Sequence, residues 1–111
     1  MTNRDRYHQI LRWLVDVFPT DKTVSLRVVK RMPKHSHDCL GACVWSEDGR
    51  VLIWIQNGPR PLVIPTLLHE FAHVLTDGRG EAGGHGDEFY QVYGALEREF
   101  HATGAVDSAT Y

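Results

Sequence analysis

Between Asn3 and Phe18 the apolar residues Tyr7, Ile10, Leu11, Leu14 and Phe18 recur at helical intervals, with Arg4, Asp5, Arg12 and Asp16 between them. That spacing predicts an amphipathic helix with one face for a core, closed by Pro19. Its one histidine, His8, reads as an exposed polar residue. From Thr23 to Val29 the period becomes two, with Val24, Leu26 and Val28 alternating against Ser25 and Arg27, as in a half-buried strand. Two more strands, Leu40 to Trp45 and Val51 to Ile55, flank Ser46-Glu47-Asp48-Gly49-Arg50, where the Asp-Gly step marks the turn of an antiparallel hairpin. The run Val51-Leu52-Ile53-Trp54-Ile55 is almost unbroken apolar sequence and is expected to be covered on both faces. Trp45 and Trp54 are expected to fill the core.

Asn57-Gly58-Pro59-Arg60-Pro61 carries the signs of a loop, and Pro65 suits the first turn of a following helix that should run to about Asp77 and stop at Gly78. Residues 78–84 contain four glycines, a composition that lets the chain turn tightly. A last helix should begin near Asp87 and present Phe89, Val92, Tyr93, Leu96 and Phe100 on one side. Residues 102–111 read as a tail. The expected architecture is α+β: one domain over residues 1–111, with an N-terminal helix, a three-stranded sheet containing an antiparallel pair, and two further helices.

Length and charge narrow the field. A chain of 111 residues is enough for one modest core, and a formal net charge of −2 offers no basic face for nucleic acid. The densest basic cluster, Lys30-Arg31-Met32-Pro33-Lys34, is short and reads as a solvated strand end. No stretch reaches membrane-span length, and the charged start, Arg4 to Arg6, is not followed by a signal core. Cys39 and Cys43 are too close in sequence for an ordinary stabilising loop and are read as free thiols. The expectation is a cytoplasmic protein.

The chemistry lies in His69-Glu70-Phe71-Ala72-His73, within the apolar run Leu67 to Leu75. On a helix, residues four apart share a face, so His69 and His73 can address one metal ion with Glu70 beside them. Burying two imidazoles and a carboxylate without partners is costly, and a metal removes that cost. Catalytic zinc usually takes a third protein ligand and leaves a fourth position open. His85, Glu81, Glu88 and Glu97 are the candidates downstream. The metzincin spacing is excluded, because Thr76 and Arg79 stand where its glycine and third histidine belong.

Taken with His85-Gly86 and Phe89, the His69-Glu70-Phe71-Ala72-His73 motif resembles the SprT-like zinc metalloproteases, which pair H-E-x-x-H with a downstream H-G-x-x-F or similar. The resemblance covers roughly the C-terminal half and implies a minimal zincin-like core. It further implies a zinc ion held by His69, His73 and His85, and hydrolysis of a protein or peptide substrate by metal-activated water with Glu70 as general base. By analogy with zincins at large, the strand from Val51 would supply an edge for an extended substrate. Relatives often carry a zinc ribbon or DNA-binding extension. Here the likeness is to the catalytic core, and no nucleic-acid partner is expected. Tyr90, Tyr93 and His101 could each stabilise an oxyanion or simply pack, and none is assigned.

Other readings were weighed. His35-Ser36-His37 followed by Asp48 has the ligand spacing of JAMM-type deubiquitinases, but it lacks a preceding glutamate, and Asp48 falls in a turn. His35, His37, Cys39 and Cys43 could instead hold a second metal. The alternative to an enzyme is a zinc-stapled binding or regulatory module without catalysis. Glu70 argues against it, because a structural site needs no base.

Overall fold

A computed structural model of the protein describes residues 2–33, 40–76 and 85–103. The elements run α1 (Asn3–Val17), β1 (Thr23–Val29), β2 (Gly41–Trp45), β3 (Arg50–Gln56), α2 (Arg60–Leu75) and α3 (Asp87–Thr103). This is an α+β arrangement of three helices and a three-stranded mixed sheet. Among the described residues no helix is long and apolar enough to cross a membrane.

α1 starts at a capping box: the Thr2 hydroxyl accepts from the Asp5 backbone N–H, and the Asp5 carboxylate accepts from the Thr2 N–H. Its predicted apolar stripe, Tyr7, Ile10, Leu11 and Leu14, is buried. The Tyr7 hydroxyl donates to the Gly58 carbonyl at 2.7 Å, tying the helix to the segment that leads into α2. Arg60 Nε adds a second tie at 3.0 Å to Asn3 Oδ1.

The strand order is β1-β3-β2, with β1 parallel and β2 antiparallel to β3. Gly49, with φ 86°, closes the β2–β3 turn in a conformation that favours glycine. β3 is therefore the central strand. The expectation that it forms the edge for a substrate is corrected here: its backbone is paired on both sides, and β2 and β1 are the edges. Nor is it covered on both faces. Val51, Ile53 and Ile55 are buried while Leu52 and Trp54 are only half-buried, the alternation of a sheet packed on one side. Arg27, the register partner of Trp54, sits with its guanidinium 5.3 Å from the indole centroid on the other face. Neither tryptophan fills the core, and Trp45 at the end of β2 is 41% exposed.

α2 begins five residues before Pro65, which corrects the predicted start. Pro59 is its N-cap and Pro61 occupies the first turn, where a missing N–H is harmless. Pro65 lies inside the helix and forgoes one bond to the Pro61 carbonyl. At the other end the buried Thr76 hydroxyl donates to Ala72 O at 2.9 Å and helps close the helix. The predicted tail begins too early, because Ala102 and Thr103 still belong to α3. The predicted extension to Asp77 and Gly78, the glycine-rich stretch 78–84, Glu81 and residues 104–111 lie outside the described residues, as do His35, His37 and Cys39. Val63, Ile64, Leu67, Leu68, Phe71 and Val74 of α2 join Phe89, Leu96 and Phe100 of α3, the α1 stripe and the buried sheet face in one core.

Candidate metal centre

α2 turns His69 and His73 to the same side, and α3 is preceded by His85, which reaches over from its N-terminal end. His85 Nε2 lies 3.1 Å from His73 Nε2 and 3.2 Å from His69 Nε2. Among the described residues His69, His73 and His85 form the group able to hold a metal ion, with ligand atoms all within 4.8 Å of one another. Zinc–nitrogen bonds of about 2.0–2.1 Å put tetrahedral ligand nitrogens roughly 3.3 Å apart, so the two separations from His85 suit a shared ion.

At His69 and His73 the local electrostatics favour the neutral imidazole, which is the form that ligates. Burial lowers the His73 pKa to about 4, with His69 and His85 adding repulsion. Burial also lowers that of His69, and His85 acts in the same direction. Phe89, fully buried, is the common platform: its ring centroid is 4.9 Å from His69, 4.5 Å from His73 and 5.0 Å from His85. Tyr93, one turn on, stacks on Phe89 at 6.1 Å and 9° and contacts the His69 ring edge at 5.9 Å.

Glu70, next to His69, is 7% exposed and faces β2. Burial raises its pKa to about 7, against the lowering effect of a hydrogen bond from Cys43. The Cys43 thiol approaches the Glu70 backbone carbonyl at 3.3 Å and Oε1 at 3.4 Å, and burial beside that carboxylate pushes the thiol pKa well up. Leu40, Gly41, Pro65, Thr66, His69, Glu70 and Tyr93 line a cleft of about 360 Å³. Glu70 and one candidate ligand, His69, thus line the same space.

Of the other residues singled out above, Glu88 is exposed and Glu97 half-buried, and neither belongs to the histidine group. Tyr90 is 59% exposed with its ring 6.4 Å from that of His85, and the exposed His101 packs edge-on against Phe100 at 5.7 Å. Asp48 sits in the hairpin turn with its carboxylate on Arg50, whose hydrogen bond lowers its pKa. Cys43 is a free thiol directed at Glu70. The contributions of Gly41, Cys43 and the Phe89 platform were not read from the sequence. Only Phe89 left a signal there, as the last residue of the H-G-x-x-F pattern.

Comparison of the chain with protein-family models, with curated proteins and with solved structures finds no match. Its function has to be argued from the chemistry of the site.

Proposed function

We propose that the chain is a zinc-dependent peptidase with the minimal core of a SprT-like metalloprotease. The observation that carries this reading is the convergence of His69, His73 and His85 within ligand distance, with Glu70 and His69 both lining the adjoining cleft. His69, His73 and His85 would hold a zinc ion, which would supply the Lewis acidity that lowers the pKa of water and polarises a carbonyl. Glu70 then takes the proton of the attacking water and passes it to the leaving amine. Phe89 keeps the three rings in place through the cycle.

The substrate is an extended peptide. β2 is an edge strand whose first residue, Gly41, lines the cleft together with Leu40, so a peptide added along that edge passes the Glu70 carboxylate. Tyr93 lines the same cleft, its ring centroid 5.9 Å from that of His69. A zinc-stapled module without catalysis has no use for a buried carboxylate opening on a cleft.

The test is metal content by elemental analysis on wild type, Glu70→Gln and His85→Ala, each paired with casein and peptide cleavage. The expected result is one zinc per wild-type chain with cleavage. Glu70→Gln should keep zinc with activity lowered by about 10²–10⁴-fold, and His85→Ala should lose zinc. Tight zinc with no cleavage of any substrate points to the stapled module instead. Full zinc occupancy in His85→Ala removes His85 from the ligand set.

A further inference from the structure

Gly41 and Cys43 are two residues apart on β2, opposite Ile55 and Ile53, and so share the face that meets α2. A Cβ at Gly41 would lie 2.7 Å from Thr66 Cγ2, 3.0 Å from Glu70 Cγ and 3.2 Å from Glu70 Oε2. The other oxygen, Oε1, is 3.4 Å from the Cys43 sulfur. One strand thus touches both ends of the carboxylate. On one side there is no room for a side chain, and on the other there is a weak donor.

We infer that β2 is the positioning element for the general base, with Cys43 orienting Glu70 through Oε1 and Gly41 leaving the space its carboxylate occupies. This rests on the peptidase reading above. The sulfur is shared between Oε1 and the Glu70 backbone carbonyl at 3.3 Å, so the thiol also registers β2 against the first ligand turn of α2. Without the thiol, one oxygen of a buried carboxylate loses its partner on the sheet side and the rotamer is no longer fixed from there. A residue with a Cβ at position 41 must push Thr66, Glu70 or the strand itself, because the nearest atoms approach closer than van der Waals contact allows. Gly41 and Cys43 both meet the carboxylate of Glu70. Their effect on the reaction passes through Glu70.

The contact can be read without metal or turnover. In a Cys39→Ser background Cys43 is the sole thiol, since the chain has two cysteines. The infrared S–H stretch of the metal-free protein should lie at lower frequency than in the same protein carrying Glu70→Ala, where only the carbonyl of residue 70 remains as acceptor. In the zinc-loaded enzyme, Cys43→Ala should lower kcat by about 10–100-fold with KM and zinc stoichiometry unchanged, and Cys43→Ser should recover most of it by restoring a donor. Gly41→Ala should lower kcat at least as far while still binding one zinc.

An S–H band unmoved by Glu70→Ala overturns the inference, and so does wild-type kcat in Cys43→Ala. A shifted band with no cleavage by wild type sinks the peptidase reading and leaves the thiol–carboxylate contact standing. An unmoved band removes the contact whatever the wild type cleaves.

Discussion

The ring of Phe89 lies 4.5 Å from that of His73, tilted by 32°. The same ring also meets His69 and His85, so one buried side chain of α3 sets the spacing of groups from two elements. Phe89→Ala should therefore cost about 3–5 kcal/mol of stability from the cavity alone. It should also weaken zinc binding by about 10–100-fold, as loss of a supporting contact does. Denaturant unfolding and a zinc competition titration check the two effects. Phe89→Leu, which keeps the volume closer, should recover more of the stability than of the zinc affinity.

Metal removal should loosen the protein. Three imidazoles brought together from α2 and the residues just before α3 would let a bound zinc bridge those elements, and an ion that binds only the folded state stabilises it by mass action. At about a thousand times its Kd, zinc should add roughly 4 kcal/mol. The melting temperature should fall on chelation and return with added zinc. A melting temperature indifferent to both would argue against any metal at this site.

In the metal-free protein, pH acts on Glu70 and on the histidines with opposite sign. Glu70 has its folded pKa raised from 4.5 to about 7, so its contribution is complete below pH 4.5 and is lost as pH rises through 7. His69 and His73 have lowered folded pKa values, so theirs is present above 6.5 and lost as pH falls toward the His73 value of about 4. Between pH 6.5 and 8.5 Glu70 lowers stability by on the order of 1 kcal/mol, while His69 and His73, still protonated in half of the unfolded chains at pH 6.5, raise it, so the wild type should change little over that range. Glu70→Gln should instead gain stability as pH rises, and the difference between the two proteins isolates the Glu70 effect. Chemical unfolding of chelator-treated protein at the two pH values measures it.

Tyr7→Phe removes the hydroxyl that donates to Gly58 O at 2.7 Å. The expected loss is about 1 kcal/mol, with zinc stoichiometry unchanged, because the bond ties α1 to the entry of α2 and does not reach the histidines. Urea unfolding paired with elemental analysis would settle both parts.

What could be read from the chain alone was what short-range periodicity and spacing control. The stripe Tyr7, Ile10, Leu11 and Leu14 declares a helix whatever it packs on, and the alternation of Val24, Leu26 and Val28 declares a strand. The four-residue spacing of His69 and His73 puts them on one helical face by backbone geometry alone. Pro65 misled because a proline's local preference for a first turn says nothing about whether the turn before it can also be helical. Pro59 and Pro61 supply that earlier start, and the one bond lost at Pro65 falls close to the helix end.

Strand order, by contrast, depends on pairings between residues far apart, such as Leu26 with Ile53, which no local pattern encodes. That is why β3 reads as a possible edge in sequence and stands in the middle of the sheet in space. The same holds for the surroundings of the site. Sequence determined the α+β elements, the two-histidine helix and, through the motif around Phe89, the choice of His85. Only the tertiary structure brought His85 within 3.2 Å of both other imidazoles, set Phe89 beneath all three, and laid Gly41 and Cys43 against Glu70. Each of those contacts joins separate elements, and packing, which acts on the whole fold at once, decides which separate elements meet.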